Sequence, residues 1–350
     1  MLNPRLKKVV NVIGFLFCIY FLILSLVLIK YAFVNLSDFI IRITSGNISE
    51  INAFGLGWLL TLVMQSSGAA TSTLVALNSA GIIGPAILIY MVLGTRIGTI
   101  ITALFVSLLI SAKRRDFRHG FEIGLVNLVY ALPIAIFMFL IEHFTSFFFK
   151  TGNYFITLGI PFKINFLDKI TLPLIEILKL IFPNFILAIF GIIILILSLR
   201  QIPKLVVGLW GEDEIKKKLN KYMKKKRFSF WIGFFIALIL TSTSITITLL
   251  IPLIISRFIN LKKVIPYIIG TNLGGIIDVI LGGVIIGQTS LPAIFTYVSF
   301  SVIGLFWLFN QNLLFRITKF VSKKTLHISK KRAILFVLFF ILLAIFLSFI

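Results

Sequence analysis

The sequence predicts an all-α polytopic membrane protein made of two inverted-topology repeats, each with a re-entrant helical hairpin and a broken transmembrane helix. Three observations predict it: a composition that only lipid can solvate, two long apolar segments interrupted midway by small polar residues, and a register in which the second half of the chain repeats the first.

Hydrophobic residues make up 59% of the 350, charged residues 13%, and Phe alone occurs 37 times. No soluble fold has an interior large enough to hide that surface. A net charge of +23 would suit a nucleic-acid binder if Lys and Arg formed one basic face, but they collect in short gaps between apolar runs. The expected surroundings are therefore the lipid bilayer, and no nucleic-acid partner is expected. The run from Val9 to about Val34 exceeds a signal-peptide core and lacks a small-x-small cleavage pattern, so it reads as a retained span. A single cysteine, Cys18, excludes an intramolecular disulfide, and three scattered histidines offer no zinc spacing, so no transition metal is expected.

Apolar stretches of at least about 18 residues run roughly over 9–34, 83–110, 121–149, 173–199, 264–287, 291–315 and 333–350. Two further segments are interrupted. Ile51 to about Ala80 carries Gln65-Ser66-Ser67-Gly68-Ala69-Ala70-Thr71-Ser72-Thr73, and about Phe230 to Phe258 carries Thr241-Ser242-Thr243-Ser244-Ile245-Thr246. Charge separates a straight span from a hairpin, because cytoplasmic loops collect Lys and Arg. With the N-terminus cytoplasmic and both segments turning back, the groups around Arg5, Arg114, Lys217, Lys262 and Lys323 share one side and hold most of the 34 basic residues. If both segments crossed, the 113–118 and 200–227 loops would flip outside. Length agrees: Ile51–Met64 makes a helix of about 21 Å, short of a roughly 30 Å hydrocarbon core.

The same bookkeeping brings the first hairpin in from outside and the second from inside, the mark of an inverted repeat. Register supports it independently of charge. Gly94 follows Gln65 by 29 positions and Gly270 follows Thr241 by 29, so the halves superimpose at a constant offset of 176. Under that offset Gly94-Thr95-Arg96-Ile97-Gly98 meets Gly270-Thr271-Asn272-Leu273-Gly274. The chain, 1–350, reads as a single membrane domain with repeat 1 at 51–110, a basic cytoplasmic linker at 200–229 and repeat 2 at 230–287. The linker, acidic at Glu212-Asp213-Glu214 and then Lys-rich, suits either an amphipathic helix on anionic headgroups or a solvated tether.

A hairpin tip at membrane depth leaves backbone amides to be satisfied by protein or by a water-filled cavity. The helix leaving each tip aims its N-terminal end inward, where free N–H groups favour an anion. Hydroxyls of Ser66, Ser67, Ser242, Thr243 and Ser244 can donate to anion oxygens, and Gly68 permits close approach of the main chain. Two such tips facing each other would form a small oxyanion site at the midplane. In the second matched element, glycine suggests unwinding, which would free carbonyls beside the oxygens of Thr95, Thr271 and Asn272 for a small cation.

Gln65-Ser66-Ser67 with its Ser/Thr/Ala-rich turn, followed 29 residues on by Gly-Thr-Arg-Ile-Gly-Thr, resembles the sodium/phosphate cotransporter family. Members have two inverted repeats, each with a Gln-Ser-Ser-Ser-type hairpin and a Gly-Ala-Asn-Ile-Gly-Thr-Thr-type broken helix. The resemblance covers about 51–110 and 230–287. It implies inorganic phosphate as substrate, sodium as coupling ion with no other cofactor, and the hairpin residues Gln65, Ser66, Ser67, Gly68, Thr241, Ser242, Thr243 and Ser244 as phosphate ligands. The sequence departs from that pattern at Thr241, where the family has Gln, at Gly68, where it has Ser, and at Arg96, where it has Asn.

Arg96 and Asp278 are the most central ionisable residues of the predicted spans, and an arginine at that depth costs several kcal/mol unless paired or hydrated. Arg96 is expected either to touch the anion, supplying charge that a sodium ion otherwise brings, or to pair with Asp278. A structural pair that only orients helices is the competing reading, with Asp278 otherwise a coupling-ion ligand. Glu122, Glu142, Glu176 and Lys179 lie toward span ends and can reach the interface by snorkelling, so a structural role is their default. No Ser/His/Asp set or phosphate-binding glycine loop marks an enzyme. The expectation is a secondary active phosphate transporter of the cell membrane, multi-pass, with sodium symport by alternating access. A passive anion channel, or a carrier for another oxyanion with proton coupling or none, are the alternatives, and the sequence fixes no oligomeric state.

Overall fold

The structure is a computed structural model that describes residues 4–34, 48–64, 66–110, 114–159, 165–210, 226–248, 250–255, 260–326 and 330–350. Gln65 and the linker core 211–225 lie outside the described residues. Among the described residues the chain is helical throughout, with no strand.

The first half contains α1 (Pro4–Val34), α2 (Glu50–Met64), α3 (Ser67–Ser79), α4 (Pro85–Gly98), α5 (Ile100–Ile110), α6 (Arg114–Thr145) and α7 (Phe147–Thr157). Then come α8 (Asn165–Ile181) and α9 (Asn184–Trp210). The second half contains α10 (Lys226–Leu240), α11 (Thr243–Thr248), α12 (Leu250–Ile255), α13 (Leu261–Gly274) and α14 (Ile277–Ile286). It closes with α15 (Leu291–Ile303), the single turn α16 (Phe306–Phe309), α17 (Gln311–Leu326) and α18 (Lys330–Phe349). Among the described residues, five stretches are long and apolar enough to cross a membrane: Pro85–Leu104, Arg118–Thr145, Leu261–Ile286, Gln288–Phe309 and Lys331–Phe349.

Adding the offset of 176, which also separates Arg96 from Asn272, to the bounds of α2, α3 and α4 returns those of α10, of α11 through α12, and of α13. The packing recurs with the boundaries. A Cβ on Gly57 would stand 1.9 Å from the Met91 carbonyl oxygen, and one on Gly94 2.0 Å from that of Phe54, so α2 and α4 touch backbone to backbone. In α10 and α13 a Cβ on Gly233 would stand 2.2 Å from the Tyr267 oxygen and one on Gly270 2.0 Å from that of Phe230. Glycine replaces bulk at these crossings because close van der Waals approach, and not water exclusion, joins helices in lipid.

This packing corrects one expectation. The helix runs unbroken through Gly94-Thr95-Arg96 and Gly270-Thr271-Asn272. The irregularities fall later, at Thr99 between α4 and α5 and at Gly275-Ile276 between α13 and α14, and all of these keep right-handed helical dihedrals. The glycines serve contact, not unwinding.

Other spans also differ from expectation. The run 173–199 is two helices parted at Phe182-Pro183, since a proline disfavours helical dihedrals in the residue before it. The run 121–149 ends at Thr145, where Ser146 takes φ 52°. Glu142, expected at the interface, is buried and its carboxylate accepts from the Phe148 and Phe149 amides at 2.8 and 3.3 Å, closing the N-terminus of α7. The run 291–315 is interrupted between Ile303 and Gln311. Both ends of the 200–229 linker are helical, 200–210 in α9 and 226–229 in α10.

Glu122, also expected to snorkel, is buried and accepts from Lys319 Nζ at 2.7 Å and Ser322 Oγ at 3.0 Å, joining α6 to α17. Glu176 and Lys179 form an exposed pair at 3.8 Å, as an interfacial position allows. Around the crossings, α3 lies against α14 and α11 against α5, so each hydroxyl-rich segment leans on the opposite half.

Candidate functional site

In the first segment Ser66 is extended (φ −153°, ψ 117°) and caps α3, its Oγ accepting from the Ala69 amide at 3.2 Å. Ser67 is buried, with Oγ 2.9 Å from the Tyr297 hydroxyl. Gly68 abuts the Asp278 carboxylate so closely that a Cβ would stand 1.8 Å from Oδ2. Glycine at this position, where the resemblance expected Ser, is what leaves room for that carboxylate.

The second segment repeats the cap, with Ser242 Oγ accepting from the Ile245 amide at 3.3 Å. Its entry differs. Thr241 takes φ 46°, a left-handed conformation that costs a β-branched residue steric energy. Ser242, Thr243 and Ser244 are buried, and the hydroxyls of Thr241 and Thr243 have no hydrogen-bond partner among the described residues. Thr243 Oγ1 faces Gly275, where a Cβ would stand 2.0 Å away.

Between the halves sits Arg96, 4% exposed. Its Nη2 donates to Asn272 Oδ1 at 3.1 Å and to Ser301 Oγ at 3.3 Å. The guanidinium carbon lies 4.3 Å from the Tyr297 ring centre and 4.6 Å from that of Phe300, which holds the charge against two π-faces. Nε has no partner. No direct ion pair joins Arg96 to Asp278 among the described residues: the guanidinium bonds run to neutral oxygens, and the two charges interact at longer range. Asp278, 9% exposed, accepts from the Val279 amide at 2.7 Å.

The remaining expected cation ligands lie on the same helices. Thr95 Oγ1 donates to the Val92 carbonyl at 2.7 Å and lies 3.0 Å from Thr71 Oγ1, tying α4 to α3. Thr271 Oγ1 donates to the Gly233 carbonyl at 3.4 Å. The structure therefore links Ser67 to Arg96 through Tyr297 and Arg96 directly to Asn272, sets Gly68 against Asp278, and leaves Ser242, Thr243 and Ser244 grouped on the second segment.

Sequence reasoning missed Tyr297, Phe300, Ser301 and Asn127. Asn127 Oδ1 accepts from Asn272 Nδ2 at 3.1 Å. The available signal was spacing, since Tyr297, Phe300 and Ser301 fall three and four positions apart on one face of an apolar helix.

Residues 15–165 and 194–346 match the family described as Na+/Pi-cotransporter, covering both hydroxyl-rich segments and both glycine crossings. The chain belongs to this family. Over 127 residues it is 32% identical to the rat (Rattus norvegicus) sodium-dependent phosphate transport protein 2A, covering 34% of this chain and 19% of that protein. It is 38% identical to the rabbit (Oryctolagus cuniculus) protein of the same name over 66 residues, covering 19% of this chain and 10% of that one. These matches span about a fifth or less of the relatives' length. No solved structure matches. As a family member with several apolar helices of spanning length, the chain is a multi-pass membrane protein.

Proposed function

We propose that this Na+/Pi-cotransporter family member carries inorganic phosphate across the cell membrane with sodium symport, by alternating access between two inverted repeats. The observation that carries the reading is the bond from Arg96 to Asn272. These residues occupy the same position of the two repeats, and contact between equivalent side chains fits repeats related by an axis passing between them. A site on that axis is reachable from either face when one half rocks against the other.

In this reading Ser66, Ser67, Ser242, Thr243 and Ser244 donate hydroxyl hydrogens to phosphate oxygens, with Gln65 and Thr241 at the tips. Gly68 lets the α3 backbone approach, and Arg96 supplies fixed positive charge. Asp278, whose carboxylate lacks an ion-pair partner among the described residues, is the strongest acceptor for a coupling ion, with Thr95, Thr271 and Asn272 oxygens on the adjoining helices. Both interrupted segments turn back within the bilayer, the N-terminus is cytoplasmic, and the basic loops lie on that side.

Uptake of radiolabelled phosphate into proteoliposomes, with and without an inward sodium gradient, tests the proposal. Concentrative uptake that requires sodium is expected. Uptake indifferent to the gradient indicates a passive anion pathway, and sodium-driven flux of another oxyanion that phosphate does not compete with indicates a different substrate; either result overturns it.

A further inference from the structure

The acceptors around Arg96 are fixed as acceptors by their other bonds. Asn272 commits its amide nitrogen twice, to Asn127 Oδ1 at 3.1 Å and to the Ile268 carbonyl at 2.9 Å, so its Oδ1 can only present lone pairs to the guanidinium. Ser301 Oγ donates to the Asn272 carbonyl at 2.9 Å and likewise turns lone pairs toward Arg96. Two neutral oxygens aimed at one point, over two aromatic faces at 4.3 and 4.6 Å, make a cation site. Here its occupant is covalently attached.

We propose that the Asn272–Ser301 oxygen pair is a latent monovalent-cation site, filled by the tethered guanidinium of Arg96, and that Arg96 thereby stands in for one transported cation. An arginine on the axis offers the anion a permanent charge at no cost in ion binding. It also removes that charge from the transport cycle, because a tethered cation does not cross with the phosphate. The inference rests on sodium-coupled phosphate transport for this chain and deepens it by fixing how many ions travel.

The test compares wild type with Arg96→Asn, Arg96→Gln and Arg96→Lys. In proteoliposomes both neutral variants should move one more sodium ion and one more positive charge per phosphate than wild type, with a steeper sodium dependence. In detergent, replacing choline by sodium should raise the melting temperature of the neutral variants more than that of wild type, by mass action at the vacated site. Arg96→Lys keeps a tethered cation and should keep the wild-type order in both assays. Unchanged sodium order and unchanged sodium-dependent stabilisation in the neutral variants overturn the inference, and so does a steeper order in Arg96→Lys. Absence of sodium-stimulated uptake in wild type would instead defeat the transport reading, while the detergent comparison would still report on the site.

Discussion

The two hydroxyl-rich segments share a frame and differ in their contents. Both are capped by a serine hydroxyl three residues before the amide it holds, and both lean on a neighbour whose glycines admit backbone contact. Yet the first segment ties Ser67 to Tyr297 and presses Gly68 on Asp278, whereas the second enters through a left-handed Thr241 and leaves two hydroxyls without a partner among the described residues. The frame is repeated and the chemistry is not. Duplicated helices keep what backbone packing demands, while side chains that face the centre diverge.

If the frame is equivalent in both halves, breaking it should cost the same in either. Gly94→Val and Gly270→Val each drive side-chain carbons into a carbonyl 2.0 Å from the Cβ position. Each should destabilise by roughly 3 kcal/mol or abolish folding, measured as monodisperse yield and thermal unfolding in detergent. A large difference between the two would break the equivalence.

The contents should respond unequally. Gly68→Ala, which forces a methyl to within 1.8 Å of Asp278 Oδ2, should lower phosphate uptake at least tenfold. Ser244→Ala, at the matching position of the second segment, should lower it only a few-fold. Equal losses would show that the closeness of Asp278 to the first segment has no bearing on transport.

The smallest effect should separate stability from activity. Thr241→Gly relieves a left-handed β-branched residue at φ 46° and should stabilise the protein by about 1 kcal/mol. Uptake should fall nevertheless, through loss of an unpartnered hydroxyl. A destabilised Thr241→Gly would mean that this conformation carries no strain.

Much of the frame was legible because helix boundaries follow glycine, proline and hydroxyl positions, and these recur at one offset; α2, α3 and α4 predict the bounds of α10 to α13 to the residue. The role of Gly94 and Gly270 was not, since a glycine in an apolar helix serves unwinding and close packing equally well until its neighbour is known. Pro183 gave a signal for the break in 173–199 that hydropathy overrode. Half of the centre was hidden for a different reason. Tyr297, Ser301 and Asn127 are isolated polar residues in apolar runs, and only the arrival of Arg96 from another helix distinguishes them from ordinary packing positions.

Glu122, Lys319 and Ser322 fasten α6 to α17 independently of either repeat, and α13 also touches both helices. Any rocking of the second half must therefore either carry this clamp along as a rigid piece or pull a buried carboxylate away from its ammonium. Cross-linking α6 to α17 across that clamp would consequently leave turnover intact only if the two helices travel together.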